Sequence, residues 1–124
     1  MAKTSKYFAP AEFTRCTPAC SIEKMDQGFL DLMDKVRYTA GIPMVISSAF
    51  RSRDWEIAHG RSGDGAHPHG KAVDVKCRTS ANRYKIVRAA ILCGVRRIGI
   101  GKTFIHLDND PSLPQNVIWD YYDD

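Results

Sequence analysis

The sequence predicts one α+β domain, residues 1–124, in which helices pack on one face of a small antiparallel sheet. Three observations lead to this fold class. At 124 residues the chain has room for one modest hydrophobic core. Two segments have helical periodicity, and several short strand-like segments cluster late in the chain. Because the helices and strands do not alternate as βαβ units, an antiparallel sheet is favoured over a parallel one.

Composition excludes two classes of protein. Hydrophobic residues make up 44% and charged residues 26% of the chain, which is typical of a globular protein and not of a disordered one. No apolar run reaches membrane-spanning length, and residues 1–6 lack the apolar stretch of a secretory signal. The sequence therefore predicts a soluble protein that is cytoplasmic as made, or is released by a route other than secretion.

Both helices are predicted from the spacing of apolar residues and from residues suited to helix ends. The first helix spans Ile22–Ala40, with Ser21 as its N-cap and Gly41 at its end. The second helix spans Ala81–Cys93 and is capped by Ser80. We expect the apolar stripe of the first helix to cover the core.

Five short strands are predicted, and a long loop separates the first two. The strands are Met44–Phe50, Lys71–Cys77, Arg97–Gly101, Thr103–Asp108 and Val117–Tyr121. The loop Ser52–Pro68 is rich in glycine and polar residues, with a helical turn expected near Trp55. Loops of this length in a compact domain are usually functional or disordered.

The four cysteines do not form a recognisable metal motif. Cys77 and Cys93 lie in apolar contexts, so they are expected to be buried free thiols. Cys16 and Cys20 could form a disulfide or half of a metal site, but no second pair with zinc-finger spacing follows. We assign this pair no function.

Strand periodicity places two potential metal ligands on the same face of the sheet. In the strand Lys71–Cys77, Asp74 points away from the flanking valines, and in Thr103–Asp108, His106 points away from the apolar residues on either side. If both apolar faces meet the helices, Asp74 and His106 emerge together on the other face. His67, in the glycine-rich loop just before the first of these strands, can fold back over them.

Two imidazoles and one carboxylate are a donor set that suits zinc, with a fourth position left for water. Water bound in this way loses a proton near neutral pH and becomes a nucleophile. Each residue also has a simpler interpretation, in which the histidine is hydrogen-bonded at the surface or the aspartate is solvated. His69 competes with His67 as a ligand, since the two lie two positions apart.

Three blocks of sequence resemble the M15 metallopeptidases. The segment His67-Pro-His-Gly-Lys-Ala-Val-Asp74 resembles the H-x-x-G-x-A-x-D signature of this family of zinc D-alanyl-D-alanine carboxypeptidases, phage endolysins and murein endopeptidases. Ser47-Ser-Ala-Phe-Arg-Ser52 resembles the S-G-Y/F-R-S block, and Phe104-Ile-His-Leu-Asp108 the final H-x-D block. The blocks keep the family's order, and the resemblance extends over nearly the whole chain.

The resemblance implies a fold, a metal and residue roles. The fold is the one that the D-alanyl-D-alanine peptidases share with the signalling domain of hedgehog proteins. The implied zinc ligands are His67, Asp74 and His106, which leaves out His69. Arg51 matches the family arginine that faces the substrate, where a guanidinium could bind a carboxylate or the oxyanion formed during attack. The implied small residues Gly70 and Ala72 let the strand pass close to the metal loop.

Two positions depart from the family pattern. Gly65 stands where the family usually has a serine two residues before the first ligand, which removes a supporting hydrogen bond. Thr103 stands where many members have the carboxylate that acts as general base, three residues before the last histidine. Asp108 is our substitute for this base because it shares a strand face with His106. It could equally orient a histidine ligand.

The leading hypothesis is therefore a zinc-dependent peptidase that hydrolyses the stem peptides of bacterial peptidoglycan, as a carboxypeptidase or an endopeptidase. The missing export signal suits a phage lysin released through pores. Thr103 favours the alternative, a non-catalytic zinc module of the same fold that recognises a wall fragment or protein. The net charge of +4 suits anionic partners, but no nucleic-acid reader motif is present. We expect a monomer that binds neither nucleic acid nor membrane.

Overall fold

The computed structural model describes residues 3–14 and 21–122. Three α-helices and five strands make up the fold: α1 (Gln27–Ala40), β1 (Ile46–Ser48), α2 (Arg53–Ala58), β2 (Ala72–Lys76), α3 (Ser80–Leu92), β3 (Arg97–Ile100), β4 (Phe104–Asp108) and β5 (Val117–Asp120). Short 3-10 turns occur at Pro10–Phe13, Ile22–Lys24 and His67–His69. The predicted pair Cys16 and Cys20 lies outside the described residues.

The predicted start of the first helix is wrong. The chain forms a 3-10 turn at Ile22–Lys24, and α1 begins only after Asp26, whose carboxylate accepts a hydrogen bond from the Phe29 N–H. The backbone N–H of Asp26 donates to the Gly70 carbonyl at 2.8 Å, a tertiary bond that an uninterrupted helix could not make. The predicted end at Gly41 is confirmed, with the left-handed φ of 70° that glycine allows there.

Local side-chain caps also define the other two helices. The side chain of Ser52 accepts a hydrogen bond from the Trp55 N–H, so the helical turn predicted near Trp55 is a short helix, α2. Thr79, and not the predicted Ser80, caps α3 by accepting a hydrogen bond from the Asn82 N–H. The loop predicted over Ser52–Pro68 is therefore partly helical.

The five strands form one sheet with the order β1-β2-β4-β3-β5. The pairs β1–β2, β2–β4 and β4–β3 are antiparallel, as predicted, whereas β5 runs parallel to β3. Asp108 at the end of β4 and Val117 at the start of β5 both lie beside Arg97. The chain therefore leaves β4 and enters β5 at the same end of the sheet, beside the start of β3. For this reason β5 runs in the same direction as β3.

The hydrophobic core lies on one face of this sheet, between the strands and helices α1 and α3. Val73 and Val75 of β2 and Ile105 and Leu107 of β4 are buried in it with apolar side chains of both helices. Cys77 and Cys93 are both free thiols, as predicted, and Cys77 is buried. The prediction of burial is wrong for Cys93, which is only half-buried. The predicted α+β class is confirmed. Helices α1 and α3 lie on the core face, as predicted, whereas no residue of the short α2 belongs to that core, and the other face of the sheet carries polar and aromatic residues.

No helix among residues 3–14 and 21–122 combines the length and the apolar character needed to cross a membrane.

Candidate metal centre

His67, Asp74 and His106 come together on the face of the sheet opposite the core. Each offers one donor atom, and these three atoms lie within 4.8 Å of one another. Asp74 and His106 are direct partners across the β2–β4 pair. The distance from Asp74 Oδ1 is 3.0 Å to His106 Nδ1 and 3.5 Å to His67 Nε2. The alternation of side chains along two paired strands, plus one loop residue, thus assembles the cluster that the sequence predicts.

The tautomer of His67 leaves one ring nitrogen available as a ligand. Its Nδ1 lies 2.5 Å from the carbonyl oxygen of Ala49. Because a carbonyl can only accept, Nδ1 carries the proton and Nε2 carries the lone pair. Nε2 is buried without a hydrogen-bond partner and faces Asp74. A buried basic nitrogen without a partner is costly unless a cation satisfies it, so this residue fits a metal ligand.

Asp108 contacts His106 on the side of the imidazole ring that faces away from the cluster. Its Oδ2 lies 2.6 Å from His106 Nε2, so this nitrogen is the donor and Nδ1 is the nitrogen that faces the cluster. The other oxygen, Oδ1, accepts from Arg97 Nε at 2.8 Å and from the Asp110 N–H at 3.2 Å. Asp108 is fully buried. Both of its oxygens are therefore occupied in holding neighbours.

The pKa values of the three cluster residues are shifted by burial and by their neighbours. Burial favours the neutral form of Asp74, but the favourable interactions of its carboxylate with the imidazoles of His106 and His67 outweigh this effect and hold the pKa of this carboxyl well below its usual range. Burial lowers the pKa of His67, which favours the neutral imidazole that a metal needs. Burial also disfavours charge on His106, but the carboxylates of Asp108 and Asp74 outweigh it and raise its pKa. Metal binding would displace that proton.

Arg51 lies beside the cluster and is held by a carboxylate that the sequence did not point to. Its Nε donates to Glu56 Oε1 at 3.1 Å, and its Nη1 lies 3.7 Å from Asp74 Oδ2. Glu56 is buried, and its second oxygen lies 3.2 Å from Nη1 of Arg61. The sequence predicts a loop at this segment and so gives Glu56 no role. Glu56 lies four positions after the cap Ser52, which is the spacing of two residues on the same side of a short helix.

The sequence model of the family Peptidase M15 matches residues 6–108. The chain belongs to the M15 peptidase family. The fold is also similar to that of the L-Ala D-Glu endopeptidase ChiX of Serratia marcescens, with a TM-score of 0.53 and 16% identity over 88% of this chain and 90% of that chain. No curated protein matches this chain. The family match indicates a peptidase, and His67, Asp74 and His106 form a cluster that could hold the metal ion expected of a metallopeptidase.

The M15 site lies in a cavity of about 330 Å³. Side chains of Arg51, Glu56 and Arg61 line it near α2, and Trp119 and Tyr121 line it from the last strand and the residue that follows it. Three other cavities, of about 350, 610 and 660 Å³, contain no histidine. The cavity of about 330 Å³ is therefore the candidate active site of this M15 peptidase, because it alone among these four contains the His67, Asp74 and His106 cluster.

Neither His69, the competing candidate ligand, nor Thr103 belongs to the cluster. His69 lies outside the cluster, and its Nδ1 is 2.5 Å from Oδ2 of Asp110 while the side chain is 47% exposed. Thr103 is exposed, and its carbonyl accepts from the Cys77 N–H. The carboxylates that line the cavity are Glu56, Asp74 and Asp108. None of them occupies the position, three residues before the last histidine, where many M15 members have the general base.

The last strand supplies aromatic residues that the sequence did not single out. The ring centroid of Trp119 lies 5.4 Å from that of His106, and Tyr121 packs against Phe104 with centroids 5.1 Å apart. A Cβ atom added at Gly99 would lie 2.8 Å from Trp119 Nε1, so the indole lies directly over this glycine. These aromatic residues lie beyond the segment that the family model matches. A sequence signal did exist, since Trp119 faces the same way as Tyr121 in the predicted strand.

Proposed function

We propose that this M15 peptidase is a zinc enzyme that hydrolyses peptides of bacterial peptidoglycan, by an endopeptidase or carboxypeptidase reaction. The observation that carries the proposal is the unpartnered, buried Nε2 of His67 facing Asp74 and His106. Two imidazole nitrogens and one carboxylate oxygen are donors that zinc accepts, and three protein ligands leave a position for water. The family, whose members are metallopeptidases, supports the same metal.

The residues around the cluster have distinct proposed roles. His67 Nε2, Asp74 and His106 Nδ1 would hold the ion. When bound, the ion supplies Lewis-acid activation of water and of the scissile carbonyl. Arg51 would bind a substrate carboxylate or the developing oxyanion, and Glu56 fixes the direction of its guanidinium.

Asp108 was the substitute candidate for the general base, with the orientation of His106 as its other role. The contacts favour the second role. Its Oδ2 accepts from His106, and its Oδ1 accepts from Arg97 and from a backbone N–H. A carboxylate whose two oxygens already accept from three donors is poorly placed to take a proton from water. We therefore propose Asp108 as the residue that orients a ligand.

The first bond to test is the L-Ala–D-Glu bond, because the similar Serratia structure is that of an L-Ala D-Glu endopeptidase. Purified zinc-loaded protein is incubated with peptidoglycan and with synthetic stem peptides, and the released fragments are identified by mass spectrometry. We expect zinc-dependent products from the wild type. His106→Ala should yield none, and metal analysis should show that His67→Ala loses bound zinc.

The matched control is His69→Ala, since His69 is a nearby histidine outside the cluster. It should retain zinc and activity. Product release that is unaffected by His106→Ala would refute the proposal. So would zinc loss in His69→Ala combined with zinc retention in His67→Ala.

Thr103 supports one alternative, a zinc module that binds wall fragments without hydrolysing them. In that case the wild type would retain zinc and bind stem peptides, and no product would appear. Direct binding measured by calorimetry on the same peptides separates the two functions.

A further inference from the structure

One row of residues crosses the sheet on the face that carries the metal cluster. Asp74 of β2 pairs with His106 of β4, His106 pairs with Gly99 of β3, and Gly99 pairs with Trp119 of β5. Since paired residues of adjacent strands point to the same face, all four positions belong to that face. Gly99 contributes no side chain. The row therefore contains two members of the cluster, a gap, and then an indole.

The gap allows the indole to reach the cluster. A Cβ atom at Gly99 would lie 2.8 Å from both Trp119 Nε1 and Tyr121 Cε2, closer than real Cβ contacts come. Without that atom, Trp119 leans over β3 until its ring centroid is 5.4 Å from that of His106. Tyr121 joins it, with ring centroids 6.3 Å apart. The two rings form a continuous aromatic wall of the cavity.

This aromatic wall, Trp119 with Tyr121, is partly open to solvent. Trp119 is half-buried and the Tyr121 side chain is 38% exposed, although both line the cavity. The guanidinium of Arg97 lies 4.9 Å from the centre of the Trp119 ring, and its charge is paired with Asp108. The wall thus presents ring surface without an unpaired charge.

The two sides of the cavity differ in chemistry. Arg51 follows β1 at one edge of the sheet, and Trp119 lies on β5 at the other edge, with the cluster between them. The Arg51 side, with Arg61, suits the carboxylates of a peptide. The aromatic wall suits a flat, uncharged group with C–H bonds on its face, because the face of an aromatic ring is negative and C–H groups are weakly positive.

We propose that the aromatic wall is a sugar subsite, which stacks on the N-acetylated amino sugar that carries the stem peptide in peptidoglycan. This inference rests on the proposed function. It assigns the peptide to the arginine side of the cluster and the sugar to the side of β5. A peptide that carries its sugar therefore binds more tightly than the same peptide without it.

The first test compares two substrates, a stem peptide linked to its amino sugar and the same peptide with an acetyl group instead. For zinc-loaded wild type we expect a KM about three- to ten-fold lower for the sugar-linked peptide, the range that one aromatic stacking contact supplies. Trp119→Ala should abolish this preference, and Trp119→Phe should keep part of it. Equal KM values for both substrates in the wild type would overturn the proposal.

The matched control is Tyr122→Ala, since Tyr122 is the adjacent tyrosine, 41% exposed, and does not line the cavity. It should keep the wild-type preference. If Trp119→Ala raised the KM of both peptides equally, the indole would only support His106 and the sugar subsite would be refuted.

A second readout does not depend on activity. In Trp55→Phe, Trp119 is the sole remaining tryptophan, since the chain contains two. Titration with an N-acetylated amino-sugar disaccharide should change its fluorescence, and Tyr121→Ala should weaken that response. An unchanged emission would refute the subsite. If the emission is unchanged but the zinc-loaded wild type cleaves the sugar-free peptide, only the sugar subsite is refuted and the proposed function stands. If the wild type cleaves neither peptide, the proposed function itself is refuted.

Discussion

The contacts of Asp108 connect the metal cluster to the segment that leads into the last strand. Its carboxylate links His106, the proposed ligand, to Arg97, and Arg97 in turn donates to the carbonyl of Pro114 in the segment before β5. A metal ligand whose second nitrogen donates to a carboxylate keeps its ring orientation and becomes more basic. The same residue thus supports both the metal cluster and the approach of the last strand.

Asp108→Asn is predicted to weaken zinc binding by about 10–100-fold, because the charge that fixes His106 is lost. A competition titration with a chelator measures the affinity. When zinc is saturating, kcat should be largely restored, and its dependence on pH should keep its shape. A kcat that stays low at saturating zinc, with unchanged affinity, would instead identify Asp108 as the general base.

Gly70 illustrates a residue role that the sequence predicted only in part. The expected close approach exists, but it is to another segment: a Cβ atom at Gly70 would collide with the carbonyl oxygen of Lys24, and it would lie 3.1 Å from Met25 Cα. The φ angle of 69° also favours glycine. Gly70 therefore joins the metal loop to the segment before α1, where its carbonyl accepts the Asp26 N–H.

At the scale of elements, β5 contributes to the candidate active site although it lies beyond residues 6–108, the segment that the family model matches. Its direction is set by the turn after β4, and its position by the pairing with β3. Because Gly99 on β3 has no side chain, the indole of Trp119 fills the space above it and so reaches the site. This edge of the sheet is thus a part of the candidate active site.

Gly99→Ala is predicted to lower the free energy of unfolding by about 1–3 kcal/mol, since the new methyl group would overlap the indole and phenol rings above it. Urea denaturation followed by circular dichroism measures the change. The matched control is Gly65→Ala, where an added Cβ atom meets nothing within 4 Å. Equal stability of the two variants would contradict the packing described for Trp119.

At the scale of the whole molecule, Asp110 ties the β4–β5 connection to the metal loop. Its Oδ1 accepts from the N–H and the hydroxyl of Ser112, and its Oδ2 pairs with His69. Burial alone would raise the pKa of Asp110, but the bonds from Ser112 and His69 outweigh it and lower the pKa. Asp110 contacts His69 through its carboxylate and Asp108 through its backbone N–H, and Asp108 is itself paired with Arg97.

Because the pKa of Asp110 is lower in the folded state, its ionised form stabilises the fold above the unfolded pKa, and this stability is lost as the pH falls through the folded value. With both proteins metal-free, Asp110→Asn should cost about 1–3 kcal/mol near neutral pH. The difference between wild type and variant should shrink below about pH 4. Urea denaturation at several pH values measures it, and a difference that is constant with pH would contradict the assignment.

Several features of the site could be predicted from the sequence because they depend on local geometry. The alternation of side chains places Asp74 and His106 on one face, and the neighbouring glycine-rich segment carries His67 to them. The fold class follows from the same periodicities. The ordered blocks that resemble M15 peptidases indicated the family, which the family match from residue 6 to residue 108 confirms.

Other features depend on contacts between distant segments, and no local pattern encodes them. The backbone bond from Asp26 to Gly70 delays the start of α1, and the pairing of β5 with β3 brings Trp119 over Gly99 to His106. The sequence by itself determined which residues can bind a metal and which face they share. Only the tertiary structure decided what surrounds them, because packing between segments far apart in the chain sets those neighbours.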